Sequence, residues 1–301
     1  MKKLLIILLS ITLIMSAFAG CQEWVDWLSP ENTAGTTQSA SVTPSEDTLR
    51  VSYIDVGQGD SILIQYPNGK VMLIDAAKKK DVGAVVDYLN SRNIKTIDYL
   101  IATHPHEDHI GGMETVIDTF NIGKVYMPRK EHDTKTFLNM LEAIERKNLK
   151  ISTAKAGVEI DGTGDCRTYI ISPAGNDYEE INDYSAVVRI EYGGTSFLFM
   201  GDAEELIEKE IMAALPQELS ADVLKVGHHG SNTSSSEAFL KAAAPAYAVV
   251  SVGKDNEYGH PTKKILKRFG DLNIKLYRTD NDGNVMAVSD GVNVEIYTNV
   301  E

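Results

Sequence analysis

The chain has 301 residues, 43% of them hydrophobic and 24% charged, enough for one large globular domain or two small ones with a sizeable core. Its net charge is −14; residues 1–20 hold two lysines and no acid, so 27 basic face 43 acidic side chains beyond them. So acidic a surface repels nucleic acid and anionic membranes at long range unless basic residues are grouped locally.

Residues 1–20 read as a targeting segment: Met1-Lys2-Lys3 is basic, Leu4 to Met15 is apolar, and Ser16-Ala17-Phe18-Ala19-Gly20 ends in small residues. The apolar run is short for a membrane span. Phe18-Ala19-Gly20-Cys21 resembles the lipobox of bacterial lipoproteins, with Phe where Leu is usual. The resemblance implies cleavage before Cys21 and a diacylglycerol on its thiol, making a membrane the first partner; an ordinary secretory signal is the alternative. Either way the mature protein is expected outside the cytoplasm. Residues 21–48, poor in aliphatics and rich in Ser and Thr, predict a flexible tether, and 49–301 a single folded domain. The other cysteine, Cys166, lies in a turn-rich stretch and reads as filler.

Strands are expected at 50–56, 61–66 and 71–75, the last two joined by a turn at Pro67-Asn68-Gly69. Helical spacing follows over 82–90, then a strand at 97–102. That strand delivers the chain to Thr103-His104-Pro105-His106-Glu107-Asp108-His109-Ile110-Gly111-Gly112, whose glycines are expected to let it turn tightly into a helix near Met113. Next come a strand at 123–127 and an amphipathic helix at 136–147 with Phe137, Leu138, Leu141 and Ile144 inward. The second half repeats the logic, with strands at 186–192, 196–202, 222–226 and 246–252 and a helix at 203–215. Candidate ligands lie just beyond strand ends: Asp202, His228 and His229, and His260.

Three of the chain's seven histidines fall with Asp108 inside six residues. Imidazole nitrogens and carboxylates are ligands of Zn²⁺ and its neighbours, and His104 and His106, two apart, can point the same way from an extended segment. A polar loop that happens to be rich in histidine is the alternative.

His104-Pro105-His106-Glu107-Asp108-His109, followed by Gly111-Gly112, resembles the HxHxDH signature of the metallo-β-lactamase superfamily, and Asp202 in Phe199-Met200-Gly201-Asp202 matches its metal-bridging Asp. The stretches 55–61, 182–185, 224–231 and 258–261 resemble the hydrolase domain of ComEC-type competence proteins, in family order across 49–301 and without the membrane-channel portion. The resemblance implies an α/β fold, the αββα sandwich of two mixed sheets flanked by helices, with metal at one edge between the sheets. It places His104 and His106 on a first metal, Asp108 and His109 on a second, and Asp202 between them. One of His228 and His229 closes the second site; His229 is favoured, with His228 turned to substrate, although adjacent residues point apart and the sequence does not choose.

Two Zn²⁺ ions are the expected cofactors. The superfamily's usual third His is missing: between His109 and His228 stands only His132, in a charged loop. Asn182 or Asp183 could substitute with oxygen, which shifts preference toward Mn²⁺, or the first site is weak. Metal-bound water loses its proton near pH 7, and Asp108 or Asp202 can orient the hydroxide. By likeness, His228 and His260 donate to phosphate oxygens and the leaving group. Lys225, Asn182 and Ser231 are candidate substrate contacts, though a Lys in a short strand can instead snorkel. Gln58 and Asp60 read as support beneath the site.

The function expected is a metal-dependent phosphodiesterase of nuclease type, acting on DNA or cell-wall phosphodiesters outside the cell. Three basic groups favour it: Lys78 to Lys80; Lys124, Arg129, Lys130 and Lys135; and Lys263, Lys264, Lys267 and Arg268. The alternatives are a phosphorylcholine esterase acting on the cell wall and a non-catalytic, lipid-anchored binding protein of the same fold.

Overall fold

The computed structural model describes residues 47–216 and 219–300. The targeting segment, Cys21 and all but the last two residues of the tether lie outside them.

The first sheet opens as an antiparallel meander of β1 (Leu49–Tyr53), β2 (Ile62–Gln65) and β3 (Val71–Ile74). Helix α1 (Val82–Ser91) then crosses over so that β4 (Thr96–Ile101) pairs in parallel with β3. Beyond α2 (Glu107–Ile110) and α3 (Met113–Thr119), β5 (Asn121–Met127), α4 (Lys135–Arg146) and β6 (Ile151–Thr153) extend that parallel edge.

The second sheet has the same plan. Strands β7 (Glu159–Thr163), β8 (Cys166–Ser172), β9 (Val187–Tyr192) and β10 (Thr195–Phe199) are antiparallel. They are followed by α5 (Glu205–Ala214), β11 (Val223–Lys225), α6 (Glu237–Ala243), β12 (Tyr247–Val250), α7 (Lys263–Asp271) and β13 (Lys275–Arg278), with β10 to β13 parallel. After α8 (Thr279–Asp282), β14 (Val285–Ser289) and β15 (Val294–Thr298) return to the first sheet beside β1. The orders are β15-β14-β1-β2-β3-β4-β5-β6 and β13-β12-β11-β10-β9-β8-β7.

Period-two alternation builds the layers. Ile62, Ile64, Tyr99 and Ile101 meet Val188, Phe197, Phe199 and Val249 between the sheets. Their neighbours Leu63 and Leu100 face the other way, under Val85, Leu89, Val116 and Ile144 of the first helix layer. Leu198, Leu224 and Val250 likewise face Ile207, Ile211, Phe239 and Phe269 of the second. The expected sandwich of two mixed sheets flanked by helices is the fold observed. Burying large aliphatics on both faces of each sheet is the main source of stability, about 1.5–3 kcal/mol for each fully buried side chain.

Two local expectations are corrected. Leu138 on α4 is 48% exposed, because the buried stripe is Phe137, Met140, Ala143 and Ile144; at 100° per residue Leu138 falls on the flank of Phe137 away from Met140. Gly111 and Gly112 have ordinary right-handed backbone angles, so turning is not their use. A Cβ at Gly111 would lie 2.4 Å from Lys79 N, and one at Gly112 2.2 Å from Ala76 O. The glycines let α2 and α3 press against the backbone that follows β3.

Candidate metal centre

The site lies where parallel strands of both sheets end, the place at which open α/β sheets present loops to ligands. From the first sheet come Asp75 after β3 and His104, His106, Asp108 and His109 after β4; from the second, Asp202 after β10 and His228 and His229 after β11. Six of the seven histidines gather here. The seventh, His132, belongs to none of the groups that could hold an ion among the described residues, and its Nδ1 sits 3.1 Å from Thr134 Oγ1.

Asp202 is the hub. Its Oδ2 lies 3.3 Å from His109 Nε2, 3.5 Å from His229 Nε2, and 3.9 Å from the Nε2 atoms of both His104 and His228. His229 Nε2 is also 3.4 Å from Asp108 Oδ2, and His104 Nε2 is 2.9 Å from His106 Nδ1. Within this cluster His104, His109 and Asp202 form one group that could hold an ion, and Asp108, His109 and His229 another.

The other ring nitrogens are anchored. His109 Nδ1 is 2.7 Å from Asp75 Oδ2, and Asp75 also accepts from Thr103 N and Oγ1 at 2.8 and 2.6 Å. His229 Nδ1 is 2.9 Å from the Ser251 carbonyl, and His228 Nδ1 is 3.0 Å from Glu204 Oε1. Glu204 also accepts from Asn182 and Thr233. With Nδ1 donating to these acceptors, each imidazole turns an Nε2 lone pair toward the Asp202 carboxylate. The Nε2 atoms of His109 and His229 are buried without a hydrogen-bond partner. Lone pairs converging in a buried space require cations or protons between them. The donor set therefore fits divalent metal, and the carboxylate or carbonyl behind each ring is the arrangement that orients metal-binding histidine.

Electrostatics agree. Burial would push the His109 and His229 imidazoles down, yet the Asp202 carboxylate beside them holds both above their ordinary values. Burial likewise opposes ionisation of Asp202 and Asp108, but the neighbouring imidazoles keep both below the usual carboxylate range. His104 is pushed well down by burial and by the charge of His109. The carboxylates thus draw positive charge onto the rings, and a bound metal would displace those protons.

Local backbone explains how two adjacent histidines reach one carboxylate. His228 and His229 both have left-handed angles, φ 45° and 50°, so their rings share a side instead of diverging as an extended segment would require. Strain of this kind costs roughly 1–3 kcal/mol per residue and persists where surroundings over-determine it. His229 is buried, whereas His228 is partly open on the wall of a cleft of about 290 Å³. Gln58, His106, Glu107, Asp108, Asp202, His229, Tyr258 and His260 line the rest.

None of the three candidate substrate contacts lines that cleft. Lys225 faces between the sheets with Val223, where no path to solvent exists for snorkelling. Its ammonium pairs with Asp60 and donates to the Gly201 carbonyl at 3.0 Å. Ser231 Oγ is 3.0 Å from Thr233 Oγ1 and buried. Asn182 donates to Glu204 at 3.1 Å, and Asp183 joins none of the ion-holding groups among the described residues. No lysine or arginine among the described residues lines the cleft either, so the three basic groups do not converge there. Asp60 lies beneath, 3.5 Å from His229 Nδ1, while Gln58 accepts from Gly253 N. Sequence reasoning missed Asp75 and Glu204. Asp75 did carry a signal, an acid closing an apolar strand as Asp202 does; Glu204 carried none.

A profile of the Metallo-beta-lactamase superfamily matches residues 54–254. The chain belongs to this superfamily. Membership gives its coarse class, metal-dependent hydrolase. The chain is 32% identical over 253 residues to ComE operon protein 3 of Bacillus subtilis, covering 78% of itself and 32% of that protein. It is 31% identical over 238 residues to Competence protein ComA of Neisseria gonorrhoeae, covering 79% of itself and 32% of the relative. The chain thus spans about a third of the length of these superfamily members. Among solved structures it is similar to Igni18, a metallo hydrolase from Ignicoccus hospitalis, with a TM-score of 0.50 at 16% identity, covering 79% of this chain and 98% of that one. It is also similar to CmlA, a diiron β-hydroxylase from Streptomyces venezuelae, with a TM-score of 0.51 at 13% identity, covering 78% and 53%. Likeness at such identities shows the superfamily fold alone, and chemistry rests on the site.

Proposed function

We propose that this protein is a metal-dependent phosphodiesterase of nuclease type. The observation that carries this reading is the pairing of His228 and His260 on the open wall of the cleft, rings 5.7 Å apart, beside the buried imidazoles grouped around Asp202. His104, His106, His109, Asp108, His229 and Asp202 would hold the metal. When bound, it supplies Lewis acidity and a water acidified to about pKa 7.

The chain's own groups do the rest. Glu204 orients His228 through Nδ1, leaving Nε2 directed into the cleft. His260, whose backbone N–H donates to Asn256 Oδ1 and whose carbonyl accepts from Asn256 Nδ2, is the second group able to reach a phosphoryl oxygen or leaving group. Asp108 is partly open to the cleft and can accept a proton from an attacking water. Glu107, Asp108 and Asp202 make the cleft acidic, so a phosphodiester anion enters only against bound cations. That supports metal dependence. Zinc suits the imidazole-rich donor set, in which His109 stands beside His104, and manganese would suit any position that oxygen ligands complete.

A relative named for competence, and a Recombination protein 2 of Haemophilus influenzae at 31% identity, favour DNA as the substrate. The proposal extends to an extracytoplasmic protein lipid-anchored through Cys21; Cys21→Ser should then release it from membranes, and undiminished membrane association would refute the anchor.

The test is a substrate panel on metal-loaded protein: bis-p-nitrophenyl phosphate, single- and double-stranded DNA, p-nitrophenylphosphorylcholine and a β-lactam. Phosphodiester turnover is expected, abolished by chelator, restored by Zn²⁺ or Mn²⁺, and lost in Asp108→Ala and Asp202→Ala with native circular dichroism. Turnover of the β-lactam alone, or none with full metal content, overturns the proposal.

A further inference from the structure

Tyr258 is 55% exposed on the rim of the cleft, an unusual place for a large aromatic ring unless something covers it. Among the described residues that line the cleft it is the only aromatic side chain besides the histidines. One face is already used: the ring stacks on His260 at 28°, with centroids 5.7 Å apart.

The loop that carries it is braced. Asn256 donates to the carbonyls of Gly253 and His260 at 2.9 and 2.6 Å, and its Oδ1 accepts from His260 N at 3.0 Å. Gly253 N donates to Gln58 Oε1, and a Cβ at Gly253 would meet Gln58 N at 2.6 Å, so the loop is seated directly on the turn after β1. With the loop backbone fixed in this way, little beyond the ring's own rotamer has to be ordered when a ligand binds.

We propose that Tyr258 is a specificity-determining residue whose exposed ring stacks on one nucleobase beside the phosphodiester in the cleft, so that the substrate is single-stranded nucleic acid. This inference rests on the phosphodiesterase reading above and names its substrate class. A paired base in a duplex has both faces covered by its neighbours, whereas an unpaired base offers one. Choline is the competing partner for an aromatic ring, but quaternary ammonium is recognised by cages of several rings, and only one stands here. A cleft of about 290 Å³ holds roughly one nucleotide, which puts the flanking base at the rim.

The experiment compares a short oligothymidylate with an oligomer of equal length carrying abasic residues, so that phosphates match and bases differ. Both the KM for cleavage and the Kd by fluorescence anisotropy are read on metal-loaded protein. Wild-type protein should prefer the base-bearing oligomer. Tyr258→Ala should reduce that preference by about 5- to 100-fold, and Tyr258→Phe should retain it. Equal handling of the two oligomers by wild type, or the same loss on both in Tyr258→Ala, overturns the stacking role while phosphodiester turnover still stands. A Tyr258→Ala defect confined to p-nitrophenylphosphorylcholine overturns it in favour of an ammonium ligand. Failure to cleave any phosphodiester overturns the parent reading instead.

Discussion

Asp75 is buried behind His109 and accepts three hydrogen bonds from Thr103 and the His109 ring. Replacing it by Asn keeps the shape and removes the anion that makes the ring a better donor to metal. Asp75→Asn should weaken Zn²⁺ affinity about 10- to 100-fold, measured by competition with a chromophoric chelator, and unchanged affinity would remove Asp75 from this role. Lys225 has a different duty from a phosphate contact: it neutralises buried Asp60 under the cluster. Lys225→Met strands that carboxylate and should lower stability by about 3–5 kcal/mol in denaturant titration, with part recovered on adding Asp60→Leu; no loss would mean that solvent reaches the pair. At this scale the candidate metal-holding side chains from His104 to His109 were legible because they cluster in sequence. Their supports were not, because Asp75 and Glu204 come from elsewhere in the chain and contact rings by folding alone.

Among the elements, the 3-10 turn Ile181–Tyr184 brings Asp183 into a buried position near the Glu204 carboxylate. Burial first, and then Glu204, push the Asp183 carboxyl up to about 6. A raised carboxyl binds its proton more tightly folded than unfolded. Its contribution is therefore fully present below about pH 4 and is lost as pH rises through 6. Asp183→Asn should raise the Tm at pH 7.5 and lose that advantage near pH 4; an equal shift at both values would refute a charge effect. Strand and helix order through residue 144 followed from periodicity, but Leu138 did not, since the direction of a helix's buried face is set by the sheet beneath it. Gly111-Gly112 marked a special backbone site for a reason invisible in sequence, the approach of a distant segment.

For the whole molecule, the centre draws ligands from both sheets, so a bound ion joins the two halves of the sandwich at one edge. An ion that binds only the folded chain stabilises it by about 2.7 kcal/mol at a hundred times its Kd. For a domain of this size that corresponds to a Tm about 5–10 °C lower after chelation, restored by Zn²⁺ or Mn²⁺. An unchanged Tm would count against an ion shared between the sheets. No helix among the described residues is long and apolar enough to cross a membrane. The layered architecture was legible through the family resemblance, since strands buried on both faces, such as Val71–Ile74, read as continuous apolar runs that do not show which way each face points. The convergence of six histidines was foreshadowed by their positions at strand ends, but the approach of both His228 and His229 to the Asp202 oxygen that His104 and His109 also face was not, since that depends on a backbone handedness that strand periodicity does not encode.

The left-handed pair at His228 and His229 also limits how this site can evolve. Among residues with a side chain, Asn, Asp and His enter that conformation far more readily than β-branched or bulky ones. The mutational neighbours accessible at low cost to His229 are thus oxygen donors, and drift there would exchange a nitrogen for a harder ligand before it emptied the site. His229→Asp should retain metal and move its preference from Zn²⁺ toward Mn²⁺, whereas His229→Val should lose it; equal metal content in the two variants would show that backbone handedness sets no such path.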